Sequence, residues 1–524
     1  MVIHFLREKL NYVLKDTFPE IGEISFNISA DNRYGDYTTN IAMVAKAENK
    51  TPKEVAEIFI GKLKKNKEFG EVVSEINIAG PGFINFTLSS EAILKELSKT
   101  REATEKGFDF IKDKKINIEF ISANPTGALH LGHGRGAFYG DSLANIFSLA
   151  GGDVVREYYV NDSRESNQIK ELGKLALGVG EQYKTEKTIA LIEQNDFLQM
   201  SEVDAGFKLA TLIQRENRDF VEEKLGVRFD EWYSEDGKLR ASGSNQKMFD
   251  ELKEKNFVYE KEGAWWAKTT EYGDDEDRVV LRSDGTFSYF LSDISYHADK
   301  FSRKCKEVID VWGADHHGHV KRMMAIKKML GWEGDFKVFI TQLVSLKENG
   351  EVAKMSKRAG NVVLLEDLVS EIGLDVVRWF YNERALNTHM EFDVALAKER
   401  SEKNPVFYVQ YAHARMASIV VNCSALTEND TSLAGIIENK SARQLATKLI
   451  QFSEMVESTT EDCQVNHLTT YAYELASLFS QFYRDVRVIE EDKYNKGALE
   501  LVRSTQTILA KTLSLLGISA PEKM

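Results

Sequence analysis

Two short stretches of this sequence combine residue types and spacings that could do chemistry. The first, SANPTGALHLGHGRG, holds His130 and His133 among several glycines. On a helix these two imidazoles would lie about one turn apart and could point the same way. Glycines let a ligand come close to the backbone, and the N-terminus of a helix attracts phosphate. The stretch therefore predicts a phosphate-binding loop at the start of a helix.

Three interpretations of this loop remain open on the histidines and glycines alone. The first is a tight turn with two core histidines, which leaves the two polar rings unexplained. The second is a dinucleotide-binding loop, but the glycines follow G-x-G-x-G rather than G-x-G-x-x-G. The third is the HxGH signature of nucleotidyl-transferring enzymes, in which two imidazole donors hold phosphates and the charge that develops on them.

The second stretch, VAKMSKRAGN, places Lys354 and Lys357 in a glycine-bounded loop far downstream. A lysine pair in a loop is usually only solvated. Combined with HxGH, in this order and with these flanking strands, it resembles the HIGH and KMSK pair of class I aminoacyl-tRNA synthetases. The resemblance implies that the two lysines close over the departing pyrophosphate and that Met355 and Ser356 contact ATP.

Longer stretches are similar to arginyl-tRNA synthetases of bacterial type. They include REYYVND, VVLRSDGTFSYFLSDISYHADKF and VWGADHHGHVKRM, with GDYTTNIAM and GPGFINF before them and NPVFYVQYAHARMASI after them. The resemblance covers nearly the whole chain and is least distinctive over residues 165–280. It implies that L-arginine is attached to its tRNA in two steps through an arginyl-adenylate, with ATP as substrate and Mg²⁺ assisting. It also implies a monomer.

The resemblance assigns roles to further residues. It implies that ATP is bound by His130, His133, Gly132, Gly134, Asp315 and His316, and that arginine is bound by Glu119, Asn124, Tyr289 and Asp293. Glu119 interrupts the apolar strand INIEFIS, which suits either a strand facing a cleft with a cationic partner or a strand with one solvent face. Tyr289 and Asp293 are four residues apart and could converge on a helix; a helix N-terminal acid near a packed aromatic is the other interpretation.

The stretch ADHHGH, from Ala314 to His319, invites a metal-site interpretation. Adjacent residues at a helix start cannot all face one ion, and structural zinc usually has cysteine ligands. The three cysteines are far apart and form no CxxC pair, which also fits a reducing cytoplasm. We therefore predict no metal ligands in the chain, and we expect His319 to pack beside the pocket.

The pattern of elements predicts three domains. Residues 1–105 are predicted to form a small α/β domain, in which Thr51 caps a helix that starts at Pro52. Residues 106–400 alternate strand, loop and helix, which predicts a doubly wound, Rossmann-like α/β core with an insertion at about 165–280. Residues 401–524 are predicted to be all helical. The resemblance implies that the first domain binds tRNA and that the last binds its anticodon.

Composition limits the class of protein. A chain of 524 residues with 43% apolar content predicts several globular domains. The formal charge of −14 argues against nonspecific nucleic-acid binding, so tRNA contact would be restricted to local patches. The N-terminus does not read as a signal peptide, and no apolar run is long enough to span a membrane. We therefore expect a cytoplasmic protein.

Two other function classes compete with a synthetase. A different adenylate-forming ligase would not need the helical residues after the α/β core. A catalytically inactive tRNA-binding protein would be expected to lose one of the two motif pairs, and both pairs are intact.

Overall fold

The computed structural model describes residues 1–18, 26–28, 35–44, 50–348, 351–352 and 363–524. Within these ranges, no helix is both long enough and apolar enough to cross a membrane. The described residues combine helices with parallel and antiparallel sheets, as the sequence predicts.

The N-terminal region is an antiparallel sheet covered by helices. Its strands pair in the order β1-β2-β4-β3. Its elements are α1 (Val2–Thr17), β1 (Phe26–Ile28), β2 (Tyr37–Thr39), α2 (Ile41–Val44), α3 (Pro52–Leu63), α4 (Lys67–Val72), β3 (Val73–Ala79), β4 (Phe83–Leu88) and α5 (Ser90–Lys106). The predicted cap of α3 is confirmed, because the Thr51 side chain accepts a hydrogen bond from the Glu54 N–H at 3.3 Å.

The middle region begins with alternating strands and helices. These are β5 (Lys115–Glu119), α6 (Leu131–Leu149), β6 (Asp153–Val160), α7 (Asn167–Ala176), α8 (Glu186–Glu193), α9 (Glu202–Asp219), β7 (Glu231–Ser234), α10 (Ser244–Glu254), β8 (Val258–Lys261), β9 (Ala264–Ala267), β10 (Arg278–Leu281) and α11 (Tyr289–Ser302). The region continues through β11 (Glu307–Trp312), α12 (His317–Leu330), β12 (Asp335–Ile340), β13 (Val344–Glu348), β14 (Glu351–Val352), α13 (Leu365–Ile372), α14 (Leu374–Asn382), β15 (Met390–Asp393) and α15 (Val394–Lys398).

The C-terminal region is mainly helical, with three very short strands. Its elements are α16 (Pro405–Cys423), β16 (Thr427–Asn429), α17 (Leu433–Ile436), α18 (Lys440–Ile450), α19 (Phe452–Asp462), α20 (Asn466–Asp485), β17 (Ile489–Glu490), β18 (Lys493–Asn495) and α21 (Lys496–Leu515). Helices α16, α18, α20 and α21 pack against one another around a continuous apolar core.

The main sheet has five parallel strands in the order β12-β11-β5-β6-β7. If the five strands are numbered 1 to 5 in chain order, from β5 to β12, the sheet read from β7 to β12 has the order 3-2-1-4-5. This is an order of doubly wound folds, so the predicted fold class is confirmed. The order reverses between β5 and β11. The edge strand β7 belongs to this sheet although it lies within residues 165–280, which the sequence predicts as an insertion. Helices α7, α8 and α9 of the same stretch form a separate apolar cluster.

Arg378 of α14 joins three parts of the fold. Its guanidinium lies 2.8 Å from Asp141 of α6 and donates to the Leu516 carbonyl at 3.0 Å and the Leu225 carbonyl at 2.7 Å. It is 1% exposed. A Cβ at Gly517, which has a φ of +67°, would lie 2.1 Å from this guanidinium. The contact therefore requires glycine after α21.

We expect Arg378→Met to lower the local free energy of unfolding of α14 and α21 by about 3–5 kcal/mol, because the buried Asp141 would lose its cation. Hydrogen exchange of the amides in both helices measures this free energy. The control is Arg101→Met, which breaks an exposed pair with Glu500 and should cost at most about 1 kcal/mol. Equal effects of the two substitutions would contradict the role given to Arg378.

Candidate active site

A cleft of about 590 Å³ opens where β5 and β11 end. The strand order reverses there, which is where open α/β sheets bind ligands. The predicted site residues that line this cleft are Glu119, Asn124, His130, Gly132, His133, Asp293 and His316. Both histidines of the first motif and both predicted arginine-binding carboxylates thus share one cleft.

A strained turn carries the chain from β5 into the cleft. Ile121 has a φ of +69° and Ser122 a φ of +42°, and the Ser122 N–H donates to the Phe120 carbonyl at 3.0 Å. Positive φ is unfavourable for a β-branched residue and persists only where the surroundings impose it. Here the Ser122 hydroxyl donates to Glu119 at 2.8 Å and accepts from the Tyr159 N–H at 3.1 Å.

The two imidazoles are fixed by backbone donors at the start of α6. The Gly132 N–H donates to Nδ1 of His130 at 3.1 Å, and the His130 N–H donates to Nδ1 of His133 at 3.0 Å. Because Nδ1 accepts in both rings, the proton of each neutral ring is on Nε2. Burial lowers the pKa of His130, and burial together with the neighbouring His130 lowers the pKa of His133 to about 3. At neutral pH both rings are therefore uncharged hydrogen-bond donors.

The segment after the second motif is bound to the residues beside His130. The Leu131 N–H donates to the Val363 carbonyl at 3.2 Å, and the Leu365 N–H donates to the Leu129 carbonyl at 3.0 Å. The chain is thus anchored next to the histidines where its described part resumes, at Val363. Lys354, Met355, Ser356 and Lys357 themselves lie outside the described residues.

The other end of the cleft is acidic. Asp293 of α11 has a side chain that is 36% exposed, and its Oδ2 lies 3.9 Å from Nδ1 of His319. Although part of the side chain is exposed, the protein atoms packed around the carboxyl group withhold water from it and raise the pKa of Asp293 to about 7. The charges of Glu235 and Glu119 also raise this pKa, and His297 and Arg322 oppose them. A cation bound beside this carboxyl group would favour its ionised form.

Glu119 has the cationic partner that we expect if its strand faces a cleft and not solvent. It is 5% exposed and forms an ion pair with Lys300 of α11. Lys300 is completely buried and also lies 2.7 Å from Asp310 of β11. The carboxylate of Glu119 therefore lines the cleft with part of its charge compensated by a cation that it shares with Asp310.

Other predicted site residues are placed differently. A Cβ at Gly134 would lie 3.0 Å from the side chains of Leu365 and Tyr381, so the close packing of this glycine is to α13 and α14. Tyr289, the first residue of α11, is 52% exposed and is not among the residues that line the cleft. The structure does not describe the side chain of Asp315. The roles given to these residues stay predictions.

Several other residues line the cleft without being singled out by the sequence patterns, namely Tyr159, Asn161, Tyr296, Thr341 and Gln342. Asn161 follows β6 and donates to the Ser122 carbonyl at 3.2 Å. A polar residue directly after a parallel strand is expected at the ligand-binding edge of such a sheet, and this position in the sequence could have indicated Asn161. In the part of the chain that the structure describes, no three His, Cys, Asp or Glu side chains are grouped as metal ligands.

Models of known families match three parts of the chain. The model described as arginyl tRNA synthetase N terminal domain matches residues 4–88. The model described as tRNA synthetases class I (R), catalytic domain, matches residues 95–223 and 164–395. The model described as DALR anticodon binding domain matches residues 409–524.

Relatives match over nearly their whole length. The chain is 40% identical over 554 residues to arginine–tRNA ligase 1 of Halalkalibacterium halodurans, covering 99% of this chain and 98% of that protein. It is 39% identical over 539 residues to arginine–tRNA ligase of Bacillus subtilis, covering 96% and 95%. Its fold resembles that of Thermus thermophilus arginyl-tRNA synthetase, with a TM-score of 0.74 at 22% identity over 100% of both chains. The chain therefore belongs to the arginyl-tRNA synthetase family of class I tRNA synthetases.

Proposed function

We propose that this chain attaches L-arginine to its cognate tRNA at the expense of ATP. The observation that carries the proposal is one cleft with two different ends, a pair of neutral imidazole donors at a helix N-terminus and an acidic end at α11. The first end suits phosphates and the second suits a guanidinium. The family identity at about 40% over almost the full length supports the same substrates.

The reaction has two steps. A carboxylate oxygen of arginine attacks the α-phosphorus of ATP, and pyrophosphate leaves with the electrons of the broken P–O bond. A hydroxyl of the terminal ribose of tRNA then attacks the carbonyl carbon of the arginyl-adenylate, and AMP leaves. Both steps depend chiefly on orienting the reactants and stabilising charge on the phosphates.

At the phosphate end, His130 and His133 donate Nε2–H hydrogen bonds to the phosphate oxygens at the N-terminus of α6, where the helix dipole favours negative charge. We propose that Gly132 and Gly134 also contact ATP there. Uncharged donors bind ATP less strongly than cations would, and their hydrogen bonds strengthen as charge develops in the transition state. Lys354 and Lys357 close over the pyrophosphate as it leaves. The remaining ATP contacts that we propose are Asp315, His316, Met355 and Ser356.

At the acidic end, Asp293 accepts the guanidinium of arginine. The guanidinium is planar, always charged and able to donate two parallel hydrogen bonds to one carboxylate. Asn124, Glu119 and Tyr289 complete the arginine site. Lysine, with a single ammonium, would satisfy fewer of these acceptors.

Mg²⁺ accompanies ATP in this proposal. The described residues hold no group of three side chains suited to a metal ion, so the phosphates of ATP would supply most of its ligands. We assign the ion no protein ligands and no step.

The proposal includes the arrangement of the chain. Residues 1–105 bind tRNA, residues 106–400 form the catalytic domain with an insertion at about 165–280, and residues 401–524 bind the anticodon. The protein acts as a monomer in the cytoplasm.

The direct test of function incubates the purified chain with ATP, total tRNA and each labelled amino acid in turn. We expect arginine, and not lysine, to become acid-precipitable with tRNA. Omitting ATP or tRNA is the control. Attachment of a different amino acid, or of none, would contradict the proposal.

Arginine binding should weaken about tenfold between pH 8 and pH 6, because the empty site must release a proton from a carboxyl group with a pKa of about 7. Asp293→Asn should remove this pH dependence and raise the KM for arginine at least about thirtyfold, about 2 kcal/mol, since asparagine replaces one acceptor by a donor. Calorimetric titration with arginine and steady-state kinetics measure the two effects.

Asp299→Asn is the matched control. Asp299 is on the same helix, and its side chain is 40% exposed and paired with Arg303. We expect its KM for arginine to stay within about twofold of the parent. A threefold or smaller change in Asp293→Asn would mean that the guanidinium is bound elsewhere.

A further inference from the structure

A row of buried carboxylates crosses the middle of the parallel sheet. Glu157 of β6 is in register with Glu119 of β5, and Glu119 is in register with Asp310 of β11. Glu157 and Asp310 are fully buried, and Glu119 is 5% exposed. Interior strands of parallel sheets are normally apolar, and buried carboxylates are costly unless they are paired. The row therefore needs compensating groups.

A single helix supplies cations to the whole row. Lys300 of α11 pairs with Glu119 and lies 2.7 Å from Asp310. Arg303, the residue that directly follows α11, donates to Glu157 at 3.1 Å. The two cations are three residues apart, so they project from one face of the helix towards the sheet.

Lys300 stands in the middle of a continuous path of polar contacts. Its burial opposes the charged form, but Asp310 and Glu119 outweigh burial and raise the pKa of the ammonium group. On the far side of Asp310, Nε2 of His297 lies 2.8 Å from Oδ2, and Nδ1 of His297 lies 2.7 Å from the backbone carbonyl of Asp293. The path thus runs from Glu119 through Lys300, Asp310 and His297 to Asp293, and both of its ends line the cleft.

We propose that Lys300 is a positioning residue for the arginine substrate. This proposal rests on the proposed function. The ammonium is shared by Glu119 and Asp310, compensates part of their negative charge and fixes α11 against β5 and β11, so that the cleft presents Asp293 to the guanidinium at a set position. Without the positive charge, the two sheet carboxylates either take up protons or push α11 away, and both responses displace the acidic end of the cleft.

The phosphate end is held by other contacts. His130 and His133 are fixed by backbone N–H groups of α6 and by pairing with the segment at Val363 and Leu365. Loss of the Lys300 charge should therefore change arginine binding and leave ATP binding nearly intact. Substitution of a residue that only stabilised the fold would affect the binding of arginine and of ATP alike.

The test compares Lys300→Gln with Arg303→Gln in the full-length chain. Glutamine can still donate hydrogen bonds to carboxylates, which favours folding, but it carries no charge. We expect Lys300→Gln to raise the KM for arginine at least about tenfold and to change the KM for ATP less than about twofold. Arg303→Gln removes a cation from the neighbouring Glu157 and should leave both KM values within about twofold. Melting temperatures are measured for both variants.

Lys300→Arg keeps the charge and is the second variant. We expect its KM for arginine to stay within about threefold of the parent. An unchanged KM for arginine in Lys300→Gln, an equal rise for both substrates, or an arginine KM in Lys300→Arg at least tenfold above the parent would each overturn the proposal. The parent chain is assayed in the same series, so a failure of the proposed function appears separately, as no arginine attachment by any of the proteins.

Discussion

Two backbone hydrogen bonds at the start of α6 set the chemistry of the cleft. They occupy Nδ1 of His130 and of His133 and leave Nε2–H as the donor of each ring. Burial keeps both rings uncharged. This end of the cleft therefore offers two directed hydrogen bonds and the helix dipole to a phosphate, and not two positively charged imidazolium rings. Charge on the phosphates is then stabilised most where it is greatest, in the transition state.

The parallel sheet places the second substrate opposite this pair. Its order reverses between β5 and β11, so the loop after β5, the start of α6 and the loop after β11 border one crevice. Helix α11 then covers the carboxylates of these strands and contributes Asp293 near its own N-terminal end. The same helix that compensates the buried charges of the sheet therefore carries the proposed arginine-binding carboxylate.

The sequence was informative where function depends on local patterns. The HxGH loop, the cap at Thr51 and the alternation of strand and helix predicted local structure and fold class, because each depends on residues close together in the chain. The partner of Glu119 could not be predicted, since Lys300 approaches it only after β5 and α11 pack. The strained turn at Ile121 depends likewise on Tyr159 from the next strand, and β7 is too short to stand out from the helices around it.

The phosphate end of the cleft depends on both imidazoles being neutral Nε2–H donors. Nitrogen-15 NMR of protein labelled at histidine reports the tautomer and charge of each ring, and His130→Asn and His133→Asn variants assign the two signals among the 10 histidines. We predict the Nε2–H tautomer for both rings at pH 7, with no protonation of His133 down to about pH 4. An Nδ1–H tautomer in either ring, or titration of His133 between pH 6 and 7, would mean that these rings are not the neutral Nε2–H donors of the cleft.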